Sequence, residues 1–170
     1  MKKIVIKNGL IAGGILVVMM GLSLSLMSGD VANFKLAEII GYTTMLVALS
    51  MIFFGVRSFR EQSGGKLTFG KAFMMGLYIT LIASALYVVG WMVLSSLMAP
   101  DFGEQYYSQF IEQIKSSDKP QEEIDKLVAG YEKNKELYEK PLVKIGITFL
   151  EIFPVGLIVS LVSALILRKS

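Results

Sequence analysis

Residues 72–100 carry no charged side chain. As a helix rising 1.5 Å per residue, such a run reaches across about 30 Å of bilayer hydrocarbon with length to spare. Three further blocks share its character: residues 8–29, about 37–56, with Glu38 at its start, and 142–167, broken by Lys144 and Glu151. Backbone in hydrocarbon must satisfy its own hydrogen bonds, so each block is expected to be a helix. The chain is 54% hydrophobic, above the share usual in soluble domains, and the excess sits in these blocks. The expectation is an all-α, polytopic membrane protein. It forms one membrane domain over residues 1–170, with four transmembrane helices and residues 101–140 outside the bilayer.

The first block follows a short basic lead, Met1-Lys2-Lys3 through Lys7. A secretory signal peptide is the rival reading, because Ser23-Leu24-Ser25 offers small residues for cleavage. Signal h-regions run about 7–15 residues and this block is longer, so a retained transmembrane helix is expected. Gly9 and Gly13 form a GxxxG, which lets two backbones approach closely; a flexible glycine-rich start to the span is the alternative.

Cysteine and histidine are both absent. That excludes disulfides, thiolate chemistry, Cys/His zinc sites and imidazole catalysis. No cofactor or metal is expected, and no enzymatic constellation is readable. The basic residues stand in short groups at span ends, which argues against a nucleic-acid partner. Gly65-x-x-x-x-Gly70-Lys71 comes close to a phosphate-binding P-loop. That motif needs Ser or Thr next and a strand before it. Here Ala72 follows and a membrane helix precedes, so nucleotide binding is not expected. Gly64-Gly65 instead reads as a turn, with Thr68 as cap of the next helix.

Residues 101–140 contain ten acidic and six basic residues. Tyr107, Phe110, Ile111 and Ile114 recur at helical spacing, and so do Ile124, Leu127, Val128, Tyr131 and Tyr138. Between them Ser117-Asp118-Lys119-Pro120 reads as a cap followed by proline at the first helical position. Two amphipathic helices in a hairpin are expected, able to pack on each other, lie on the bilayer or hold a partner protein. Self-association through this hairpin or through small-residue helix faces is a further possibility.

Loop charges set the orientation. Lys2, Lys3, Lys7, then Arg57, Arg60, Lys66, Lys71, then Arg168 and Lys169 all fall on one side of a four-span chain. Both ends of the chain are therefore expected in the cytoplasm, and the acidic hairpin extracytoplasmic.

Glu151 is the feature hardest to accommodate. Residues 142–167 contain 17 Leu, Ile, Val or Phe, each favouring insertion by roughly 0.3 to 0.6 kcal/mol, against about 2.5 to 3.5 kcal/mol for one acidic residue. The span inserts with its glutamate. Intramembrane carboxylates are functional candidates by default. Thr148 lies one turn before it, and Pro154 removes a helical donor just beyond it. Ser84 and Tyr87 of the third span and Thr44 of the second fall at similar depth, and these six make the candidate polar site. Glu38 and Tyr42 form a secondary candidate, although Glu38 also suits a helix N-terminus. A structural reading, in which Glu151 ties helices together, stands beside proton relay or binding of a cation or polar solute. Beyond Pro154, Gly156, Ser160 and Ala164 form a small-xxx-small ridge suited to packing.

Several stretches carry a family likeness: Asn8–Gly13, Glu38–Met45, Phe54-Gly55-Val56-Arg57-Ser-Phe-Arg60, Leu67–Phe73, and Glu151-Ile-Phe-Pro154-Val-Gly156-Leu-Ile-Val-Ser160-Leu. In these the chain resembles the bacterial membrane family catalogued as domain of unknown function 4199. The resemblance implies a small four-helix protein of the bacterial inner membrane and assigns no catalytic residues. Two functions follow as expectations. The chain is a non-enzymatic membrane interaction or scaffold protein, with the acidic hairpin as contact surface. Alternatively, it is a small ion- or solute-conducting protein, proton-coupled through Glu151.

Overall fold

A computed structural model describes residues 1–26 and 32–169. It contains helices α1 (Lys2–Leu26), α2 (Ala32–Gln62), α3 (Phe69–Met98), α4 (Phe102–Lys115), α5 (Gln121–Tyr138) and α6 (Pro141–Leu167). Among the described residues there is no sheet, only an isolated antiparallel bridge between Leu67 and Lys169. The all-α class therefore holds, and four helices, α1, α2, α3 and α6, are long and apolar enough to cross a membrane.

Three boundaries differ from expectation. The basic lead is helical, so α1 starts at Lys2, while residues 27–29 of the expected first span lie outside the described residues. α2 begins at Ala32, within the stretch expected as a polar turn, and runs to Gln62, past the expected end at residue 56. Local polar pairs sustain that extension: Arg57 Nε donates to Glu61 Oε1 at 3.0 Å and Gln62 Nε2 to Ser58 Oγ at 3.3 Å. The loop shrinks accordingly. Gly64 and Gly65 take φ of 68° and 81°, a left-handed region that glycine enters without strain. There the Gly65 N–H donates to the Arg60 carbonyl at 3.0 Å and closes the helix end. The third correction concerns Pro120, which caps α5 from outside rather than opening it, with ψ of 141° and the helix starting at Gln121. Thr68 sits at the start of α3 as expected, its carbonyl accepting from the Ala72 N–H at 3.0 Å.

The chain forms two compact units, Met1–Trp91 with Thr148–Ser170, and Met92–Ile147. In the first, small residues set the helix contacts. A Cβ on Gly9 would lie 2.7 Å from Ile82 Cβ, one on Gly13 2.5 Å from Leu86 Cδ1, and one on Gly90 2.6 Å from Val17 Cγ2. The constant offset between partners means that α1 and α3 run parallel, and the GxxxG is a close-approach surface. α3 and α6 run antiparallel: Gly76 abuts Ser160, and Gly156 abuts Thr80. α2 closes the set with Gly55 against Ile79 and Asn8. Ile52, Met75, Ile79 and Ile152 are fully buried where these helices meet. Many aliphatic side chains point outward, including Val18, Ile39, Leu150 and Ile166, each more than 60% exposed. An outer surface of that kind fits lipid and not water.

The second unit contains the hairpin. Tyr107 of α4 meets Tyr131 and Tyr138 of α5 edge-on, and Phe110 stacks on Tyr131 with centroids 5.8 Å apart. Ile124 of α5 is buried. Lys135 Nζ donates to Glu104 Oε1 at 3.2 Å across the pair. The amphipathic stripes read from the sequence therefore face each other.

Candidate functional site

α6 packs through every fourth residue: Thr148, Ile152, Gly156, Ser160 and Ala164 are all buried. This ridge meets the α3 row that begins at Gly76. Thr80 Oγ1 and Ser160 Oγ lie 3.1 Å apart, so one hydroxyl donates to the other while the accepting one donates back to a carbonyl of its own helix, Gly76 for Thr80 or Gly156 for Ser160. The pair is fully buried. It is a polar link between helices that the sequence reading did not single out, although Ser160 was placed on the packing ridge.

Glu151 sits one residue off the ridge, about 100° round the helix from Ile152. Its side chain is exposed on the outside of these helices rather than enclosed between them. The carboxyl end is nonetheless crowded. The Tyr87 hydroxyl donates a hydrogen bond to it, and Glu38 is close enough to act on it electrostatically. Tyr42 feels both carboxylates and lies one turn after Glu38 on α2. The two candidates expected separately therefore form one cluster, with α2 supplying Glu38 and Tyr42, α3 supplying Tyr87, and α6 supplying Glu151. The i, i+4 spacing of Glu38 and Tyr42 was the readable signal; that α2 presents them to α6 was not.

The other expected members fall elsewhere. Thr148 is 4% exposed on the packed ridge. Pro154 is exposed within an α6 that runs continuously from Pro141 to Leu167; its missing N–H leaves the Leu150 carbonyl without its helical donor. Thr44 is half-buried, two residues and about 200° round α2 from Tyr42. Ser84 is fully buried, and its Oγ has no hydrogen-bond partner among the described residues.

Once ionised both carboxylates are acceptors only, and they repel each other when both are charged. Among the described residues no group of three or more Asp, Glu, His or Cys is placed to hold a metal ion. Neither a curated protein nor a solved structure matches the chain. A family model does, over residues 7–169, nearly the whole length read here. With its all-α architecture and four apolar helices, the chain belongs to the family described as protein of unknown function, DUF4199.

Proposed function

We propose that the chain is a non-enzymatic membrane interaction or scaffold protein of the bacterial inner membrane. In this reading both ends lie in the cytoplasm and the α4–α5 hairpin lies outside it, serving as the contact surface. The observation that carries this reading is the hairpin's division of labour. Its rings are spent on each other, while Asp125, Glu132 and Glu136 of α5 are exposed without an ion pair among the described residues; Glu122, also exposed, is paired with Lys126. A hairpin ordered by its own aromatic contacts presents those carboxylates at little entropic cost. Such an acidic face suits a basic partner surface. A photocrosslinker at Glu132, used in intact membranes, is expected to give a discrete adduct with another protein. Reversing the charge of Glu122, Asp125 and Glu136 is expected to abolish that adduct. Adducts only with this chain itself, or one indifferent to charge reversal, would count against the reading.

A second reading has its own support in the cluster of Glu38, Tyr42, Tyr87 and Glu151: a small ion- or solute-conducting protein, proton-coupled through Glu151. In reconstituted vesicles Glu151→Gln is expected to change proton or cation flux, and identical flux removes this reading.

A further inference from the structure

The loop between α2 and α3 and the residues that follow α6 are joined backbone to backbone. The Leu67 N–H donates to the Lys169 carbonyl and the Lys169 N–H to the Leu67 carbonyl, both at 2.9 Å. Leu67 and Leu167 are buried at 3% and 5% exposure, so side chains on both partners anchor the bridge. It fixes Lys66, Arg168 and Lys169 beside one another, all exposed, with Lys71 in the first turn of α3. The neighbouring arginines are already engaged: Arg57 with Glu61 at 3.0 Å, and Arg60 Nε with the Gly65 carbonyl at 3.2 Å. Lys66, Lys71, Arg168 and Lys169 form no ion pair among the described residues. No acidic residue occurs between Gln62 and Pro100.

Helix dipoles explain half of this arrangement. Arg168 and Lys169 follow the C-terminus of α6, where cations are favoured. Lys66 and Lys71 flank the N-terminus of α3, where cations are disfavoured and an anion is wanted. Lys66 and Lys71 therefore lack a counter-charge, and the bridge brings Arg168 and Lys169 to the same end of α3. Beside them on α6, Val162, Leu165 and Ile166 are exposed aliphatics, as is Met74 on α3. That combination of an anion site and an apolar flank matches a molecule carrying a phosphate on hydrocarbon chains.

We propose that this pinned basic patch binds the headgroup of an acidic phospholipid. Its phosphate lies on Lys66, Lys71, Arg168 and Lys169, and its acyl chains lie along the exposed surface of α6. Arg168 offers the phosphate a two-pronged donor, and the Leu67–Lys169 bridge removes the cost of gathering separate chain segments.

The test uses the full chain in nonionic detergent. Phosphatidylglycerol is titrated in and the thermal unfolding midpoint followed, with phosphatidylcholine and soluble glycerol phosphate as parallel titrants. Phosphatidylglycerol is expected to raise the midpoint saturably, as a ligand of the native state does, and the other two are not. The triple substitution Lys66→Gln, Arg168→Gln, Lys169→Gln is expected to weaken apparent affinity by about a hundredfold, at roughly a kcal/mol per cation near an anionic surface. Retained affinity in that variant, an equal effect of phosphatidylcholine, or a full effect of glycerol phosphate alone overturns the proposal. Should the triple variant not fold, the wild type still decides: its phosphatidylglycerol effect must decline as sodium chloride is raised, and a salt-independent effect overturns the proposal equally.

Discussion

At the scale of single residues, steric contacts and hydrogen bonds inside this bundle are unequal in weight. A Cβ on Gly156 would stand 2.3 Å from Thr80 Cγ2 and 2.9 Å from Thr80 Oγ1, both deep in the α3–α6 contact. Gly156→Ala gains about 1 kcal/mol of helix propensity but forces packed helices apart, at a cost of about 1–3 kcal/mol. Net destabilisation is expected, read as a lower midpoint in a detergent unfolding titration. Gly14→Ala, with nothing within 4 Å of its Cβ, is expected to be neutral or mildly stabilising, and equal losses at the two sites would refute this account. The Thr80–Ser160 hydroxyl pair is the weaker link. A double-mutant cycle with Thr80→Val and Ser160→Ala should return about 0.6 kcal/mol of coupling, the average for such bonds in membranes, and a value near zero would mean that the pair is not formed. The small residues themselves were legible by spacing. Their partners were not, because a GxxxG marks a surface without saying which helix covers it, and Gly9 and Gly13 could have faced α2 as readily as Ile82 and Leu86 of α3.

At the scale of elements, the hairpin was the most readable part, since its period of three and four survives in a polar background. Helix ends were the least readable. Arg57, Arg60 and Glu61 signal the end of an apolar span, but the end of hydrophobicity is not the end of a helix. The Arg57–Glu61 pair carries α2 on to the glycines that stop it. The packed rings also give the hairpin a pH dependence. Burial, with a smaller contribution from Tyr131, raises Tyr107 above the ordinary tyrosine value near 10. The folded hairpin therefore holds the Tyr107 proton more tightly than the unfolded chain does. Its stabilisation is complete below the unfolded value and is lost as pH rises through the higher, folded one. The hairpin is expected to loosen only in that alkaline window, seen as phenolate absorbance rising together with loss of helical circular dichroism. In Tyr107→Phe the component of that loss due to this residue should vanish. Phenolate formation at the ordinary tyrosine value with no change in helicity would contradict the packing described here. The Lys135–Glu104 pair, whose glutamate is 66% exposed, is worth less than about 1 kcal/mol by comparison, so the rings and not the ion pair hold α4 to α5.

At the scale of the whole molecule, the candidate site shows where sequence reasoning stops. An uncompensated carboxylate in an apolar span can be found by reading along one helix, and Tyr87 was a nameable partner from depth alone. Joining Glu38 and Tyr42 to it required knowing which side of α2 turns toward α6, and that is decided by packing among three helices. The charge count is different in kind, because it depends on the sum over all loops and survives errors of a few residues in any boundary. Its strongest support is the Leu67–Lys169 bridge, which ties the basic loop after α2 to the basic residues after α6, so that two groups expected on one side do share it. The absence of native cysteine makes the remaining question of sidedness directly measurable. Single variants Ser63→Cys, in the α2–α3 loop, and Glu132→Cys, on α5, are both at exposed positions. With a membrane-impermeant maleimide, Glu132→Cys is expected to label in intact spheroplasts, and Ser63→Cys only after the membrane is opened. Labelling of both in intact spheroplasts would mean that fewer helices cross than the four apolar ones. The reverse pattern would mean that the basic groups face outward, against the bias that orients multispanning chains, and the assignment of the hairpin to an outside partner would fall with it.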